Sequence, residues 1–213
     1  MTGDDDLTAA LAEIATVPDD PDYVQWWSPG LLEGAAVQGG VIRVEVGDEV
    51  INPTQEGIVL PDLALQALIY TLQAAAGERA PVQFVHDGNP VAEVRGRSTS
   101  EPLAAGDQLD VLALVSISDP VEGLVVSDGF VARGRASVFE GNVQWELRDA
   151  SGRVVRDGVT TAGMDDHLVP WETEPIDVSG LAPGTYTFVA SESDPSDGEG
   201  RDVFTDTRTV VVE

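Results

Sequence analysis

Cysteine and lysine are both missing from this chain of 213 residues, and histidine occurs twice. Without cysteine there can be no disulfide, no thiol nucleophile and no thiolate metal ligand. The absence leaves the cellular compartment open. No apolar run approaches the roughly 18 residues that a spanning helix requires. Met1-Thr2-Gly3-Asp4-Asp5-Asp6 has no basic region followed by an apolar one, so no signal peptide is visible. Positive charge is scarce: 11 Arg stand against 38 Asp and Glu, a formal net charge of −27. The imbalance is spread along the chain, with 20 acids and four Arg in residues 1–119 and 18 acids and seven Arg in 120–213. Such a field repels phosphates, so neither nucleic-acid binding nor direct insertion into an anionic membrane is expected. Solubility accounts for the acidity; attraction of a basic partner or of divalent cations is the functional alternative.

An apolar fraction of 42% is enough for real cores, and the length fits two small domains or one large all-β domain. Leu7, Ala10, Leu11 and Ile14 recur at helical spacing behind Asp4-Asp5-Asp6, with Asp6 as a cap and acids at the positive end of the helix dipole. That helix should fail near Val17-Pro18, leaving 19–22 as a loop and Tyr23–Trp27 irregular. Val41–Val46 alternates as a half-buried strand. Pro61-Asp62 opens a second helix carrying Leu65, Leu68, Ile69, Leu72 and Ala76 on one side, and Gly77 ends it. Val82, Phe84 and Val85 form another strand, turned at Asp87-Gly88 and returning through Val91 and Val94. Residues 1–110 therefore read as an α+β domain, a small sheet with two helices. Gly96–Gln108, rich in Ser, Gly and Pro, reads as the linker.

Beyond residue 110 the pattern is all strand. Phe130, Ala132, Gly134, Ala136 and Val138 share one face, and Arg133, Arg135 and Ser137 the other. Val143, Trp145 and Leu147 alternate with Gln144, Glu146 and Arg148, and Asp149-Ala150-Ser151-Gly152 is a turn. Leu181-Ala182-Pro183-Gly184-Thr185-Tyr186 delivers a tyrosine into a strand, the corner at which immunoglobulin-like sandwiches bond a tyrosine hydroxyl back to nearby backbone. Residues 111–213 read as an all-β immunoglobulin-like sandwich.

Several of these strings resemble known domains. Ala132-x-Gly134-x-Ala136, Phe139–Asp149 with Gly152 and Asp157-Gly158, Leu181-x-Pro183-Gly184-x-Tyr186 and Asp194-Pro195-Ser196-Asp197-Gly198 are similar to the immunoglobulin-like domain of bacterial spore germination. Ala9-Ala10-Leu11, Gly40–Val46, Gln66–Leu72 and Val82–Val91 resemble the sporulation and spore germination domain called GerMN, which normally has a strand or two ahead of its first helix. The resemblance implies an extracytoplasmic cell-envelope protein, anchored through a lipid-bearing cysteine expected upstream of Met1 together with the missing strands. It also implies action by assembly or envelope binding, with no catalytic residues and no cofactor to carry over; the same pairing suits bacteria that form no spores.

Candidate chemistry is sparse. His86 and His167 lie about eighty positions apart, and no Gly-x-Ser-x-Gly elbow accompanies them; they read as hairpin-flanking and loop residues. Asp194, Asp197 and Glu199 place three carboxylates in six residues, a spacing a calcium ion could use, though an ordinary turn explains it equally and the twelve-residue calcium-loop pattern is not met. Asp165-Asp166 is a second acidic pair. Trp145 reads as core and Trp171, after Pro170, as a cap on the sandwich edge. Trp26-Trp27 sits in a loop where adjacent rings cannot easily both be buried, so one is a candidate ligand contact. Glu172 and Glu174 would suit glycosidase chemistry only across a cleft of about 5–9 Å. The expected function is a non-catalytic binding or scaffold protein working through contacts with other envelope proteins or the cell wall. The alternatives are a peptidoglycan or carbohydrate-binding module using Trp26 or Trp27 and, behind it, an envelope hydrolase.

Overall fold

A computed structural model describes residues 3–51, 61–193 and 203–213. The chain divides into two compact units, Met1–Asp107 and Gln108–Glu213.

In the first unit the order is α1 (Gly3–Ile14), β1 (Leu32–Gln38), β2 (Val41–Val46), α2 (Asp48–Ile51), α3 (Pro61–Ala76), β3 (Val82–His86), β4 (Asn89–Pro90), β5 (Glu93–Val94) and β6 (Arg97–Ser98). Leu7 and Leu11 of α1 are buried, as are Ala64, Leu65, Leu68, Ile69 and Leu72 of α3. Those spacings place each set on one helix face, so the two helices share a core with Ile42, Val44, Val46, Val82 and Phe84 of the strands. Helix α3 stops at Gly77, whose φ of 68° turns the chain left-handed while Glu78 N–H donates to the Gln73 carbonyl. The sheet order is β1-β2-β3-β4. Strands β1 and β2 form a hairpin closed by Gly39 and Gly40, both at positive φ, which a two-residue turn of this hand demands. Strands β2 and β3 are parallel, with α3 as the crossover, and Asp87-Gly88 turns β3 into β4.

Two features depart from expectation. Leu-Glu-Gly-Ala-Ala-Val-Gln forms β1 although it carries no alternation; its register against β2 slips between Leu32 and Gly34. The supposed linker, all but Gln108, belongs to the first unit. Leu103 exchanges both backbone hydrogen bonds with Val82, the hydroxyl of buried Thr99 donates to the Val91 carbonyl, and Tyr70 Oη donates to the Gly106 carbonyl at 2.6 Å. Polar composition is compatible with a packed segment when each polar group finds such a partner.

The second unit contains a short helix α4 (Gln108–Val111), then β7 (Val115–Asp119), β8 (Leu124–Val126), β9 (Gly129–Phe130), β10 (Arg133–Ala136), a 3-10 turn (Phe139–Gly141), β11 (Asn142–Arg148), β12 (Val154–Thr161), β13 (Val169–Glu172), β14 (Ile176–Asp177), β15 (Gly184–Glu192) and β16 (Thr205–Val212). A three-stranded sheet β13-β10-β7 and a five-stranded sheet β12-β11-β15-β16-β8 enclose one core, and β14 pairs with β9. Ala136, Val143, Leu147, Phe188, Ala190 and Val210 are fully covered on the inward faces of their strands, and Ala132, just ahead of β10, joins them. Tyr186 Oη donates to the Ala182 carbonyl at 2.8 Å, the corner bond expected of the Leu181–Tyr186 turn. Trp145 is half-buried, stacked on Phe188 at 6.1 Å and lying against Gly158. Trp171 is a core residue and not an edge cap: it is 2% exposed and packs over Gly134, whose missing side chain leaves room for the indole.

Candidate functional site

One exposed constellation of the second unit is built by two neighbouring loops. The chain leaves β10, makes the 3-10 turn and enters β11; on the adjoining strand it leaves β12 at Thr161 and runs through Ala162–Leu168 into β13. Asn142 pairs with Thr161, and Ala162 N–H donates to the Gly141 carbonyl at 2.8 Å. Gly141 and Gly163 then touch so closely that a Cβ on Gly141 would lie 2.6 Å from the Gly163 carbonyl oxygen. Within the turn Glu140 takes φ 54°, left-handed backbone that a residue with a side chain rarely adopts. Phe139 is 58% exposed and Met164 80%.

Beside Met164, Asp165, Asp166 and His167 bring one ligand atom each to within 4.8 Å of one another. His167 Nδ1 lies 3.2 Å from a carboxylate oxygen of each aspartate. The hydrogen bond to His167 is the main cause holding the Asp166 carboxyl below the usual range, with a second from the Asp165 side chain. All three residues are exposed, so water competes for every donor. The base of the loop is firmer. Leu168 is buried, its N–H donates to Gln108 Oε1 and its carbonyl accepts from Arg135 Nη2 at 3.0 Å.

In the first unit the tryptophan pair resolves differently from the ligand-contact expectation. Trp27 is 1% exposed: its Nε1 donates to the Ala64 carbonyl at 3.1 Å, and its ring stacks on Phe84. The Arg95 guanidinium carbon lies 3.9 Å from the centre of that ring. Nothing as large as a sugar can stack on a ring so enclosed. Trp26 is half-buried against the same core, and its carbonyl accepts from Arg95 Nη2 at 2.6 Å. Arg95 Nε and Nη1 are buried with no hydrogen-bond partner among the described residues, and desolvation lowers the guanidinium pKa to about 10. Sequence reasoning missed Arg95; its one visible signal is the Arg95-Gly96 turn after Val94.

His86 and His167 belong to different units. His86 Nδ1 meets the Val46 carbonyl at 2.7 Å and Nε2 meets Asp48 at 3.3 Å, so the ring joins the end of β3 to the turn after β2. The carbonyl of Val46 is the largest influence and raises the His86 pKa; burial opposes it, and Asp87, Asp48 and Glu45 add to the rise. Glu172 and Glu174 are exposed; the Glu172 carboxylate lies 4.0 Å from Arg133, and its backbone carbonyl accepts from Thr160. Asp194, Asp197 and Glu199 lie outside the described residues.

The strand order, the Tyr186 corner and the two-loop end can now be set beside known proteins. Residues 114–199 match the immunoglobulin-like domain of bacterial spore germination. The match thus covers β7 to β15 and the loops of the constellation, and the first unit lies outside it. No curated protein matches the chain. Among solved structures, CopC from Methylosinus trichosporium OB3b aligns at 20% identity over 47% of this chain and 91% of its own, with a TM-score of 0.32. A single-mutant thermostable endoglucanase from Alicyclobacillus acidocaldarius aligns at 22% identity over 43% of this chain and 13% of its own, with a TM-score of 0.25.

Proposed function

We propose that this protein is a non-catalytic binding or scaffold protein of the bacterial cell envelope, working outside the cytoplasmic membrane through contacts with other envelope proteins. The match of residues 114–199 to the spore-germination-type immunoglobulin-like domain carries the reading. The sandwich supports it physically: its polar strand faces and exposed loops offer contact surface on a rigid frame. The first unit, with its helices against a small mixed sheet, is read as a GerMN-like partner domain, on the strings Gly40–Val46 and Val82–Val91. The enclosure of Trp27 leaves the carbohydrate-binding alternative only half-buried Trp26 as a stacking surface.

Cell fractionation tests this. An epitope-tagged copy expressed from its natural gene should sediment with the envelope and be digested by protease added to spheroplasts. Recovery in the cytosol, protected from that protease, would overturn the reading.

A further inference from the structure

We infer that the loop pair 137–141 and 162–167 is a docking surface for a cationic, partly apolar segment of a partner protein. Phe139 and Met164 would make the apolar contacts, and Glu140, Asp165 and Asp166 the charged rim. The inference rests on the binding reading above and names the surface that reading would use.

Single exposed apolar residues are ordinary on a protein surface. Here two large ones, at 58% and 80% exposure, leave adjoining backbone, since Gly141 and Gly163 are in contact. One is a phenyl ring, a rigid anchor; the other is a thioether, which adapts to irregular partners. The left-handed residue between Phe139 and Gly141 is Glu140, where glycine would be relaxed. That geometry is held by Gly141 N–H on the Val138 carbonyl and by Ala162 N–H on the Gly141 carbonyl. Glu140-Gly141, like Asp87-Gly88 and Arg95-Gly96, has both residues at positive φ, a turn that fixes the backbone carrying exposed Phe139.

Charge selects the occupant. Glu140, Asp165 and Asp166 flank the apolar pair; the Arg135 guanidinium donates to the Leu168 carbonyl, and His167 Nδ1 lies 3.2 Å from each aspartate. A second copy of this chain, at formal charge −27, would meet like charge. A segment with Arg or Lys beside an aliphatic side chain meets complementary charge at the rim and apolar surface between.

The test is an amide-shift titration of the full chain in about 0.15 M salt, with the peptide acetyl-(Leu-Arg)3-amide as probe. Its Leu-to-Ser and Arg-to-Glu versions serve as controls. Shifts should concentrate at 137–141 and 162–168, and Phe139→Ser with Met164→Ser should weaken binding roughly tenfold. Asp165→Asn with Asp166→Asn should weaken it several-fold and flatten its salt dependence. Unchanged core amides at Leu147 and Phe188 would show that both variants remain folded. Shifts spread evenly over the acidic surface, equal binding of the Leu-to-Ser peptide, or unaltered binding by the Phe139/Met164 variant would each overturn the inference. Failure of envelope localisation with docking intact would remove the setting and leave the surface standing.

Discussion

Arg208 and Asp206, two residues apart on β16, form a buried ion pair, with Nη1 2.9 Å from Oδ1. The same two side chains clamp one residue of the facing sheet. Asp206 Oδ2 accepts from Ile117 N–H at 2.6 Å, and Arg208 Nη2 donates to the Ile117 carbonyl at 2.7 Å. The pair therefore fastens β16 to β7 across the sandwich. Asp206→Ala would take a carboxylate from a buried guanidinium and should destabilise by about 3–5 kcal/mol. Urea unfolding of Asp206→Ala, Arg208→Met and the double variant checks this. The double variant should lose less than the sum of the singles.

Removing the Tyr186 hydroxyl leaves the Ala182 carbonyl without its donor. Tyr186→Phe should lower stability by about 1 kcal/mol, read as a fall in the urea midpoint with unchanged slope. A fall in slope instead would mean that the corner holds the native sheets together beyond one bond.

Gly134 has no room for a side chain: a Cβ there would sit 1.8 Å from the Ser116 carbonyl oxygen and 2.8 Å from the Trp171 ring. Gly134→Ala should cost at least about 2 kcal/mol, and the added methyl should push Trp171 toward water. A red-shifted emission present in this variant and missing in Trp171→Phe/Gly134→Ala would identify the ring that moved.

His86 has a pKa raised above the ordinary 6.5 in the folded protein, led by the Val46 carbonyl and supported by Asp87, Asp48 and Glu45. The stabilisation from its protonated form is complete below the unfolded value and fades as pH rises through the folded one. Melting temperature should therefore decline on going upward from pH 6, and His86→Gln should flatten that decline. An NMR titration of the ring protons would show the raised midpoint directly.

Periodicity carried most of the architecture. Leu65, Leu68, Ile69 and Leu72 marked a helix face, Val41–Val46 a strand, and Pro183-Gly184 with Tyr186 a sandwich corner, because in each the local pattern and the tertiary environment agree. Strand β1 escaped notice because Gly34, Ala35 and Ala36 are small on both faces and show no alternation. The enclosure of Trp27 depends on Arg95, 68 positions away and held at φ 54°, which no local pattern reports. The loop pair was equally hidden. Met164 and Phe139 look like isolated apolar residues until the β11–β12 register brings Gly141 against Gly163.

Strand β8 lies early in the second unit and pairs in parallel with β16 near its end: Leu124–Val126 against Val210–Val212, with Glu213 N–H on the Val126 carbonyl. A ribosome delivers these partners in the wrong order for immediate use. Leu124–Val126 emerges with its pairing edge unfilled and must wait while some eighty residues follow. Long-range pairing of this kind slows folding relative to local hairpins. Until β16 has been made, the sheet lacks the strand that stands between β15 and β8.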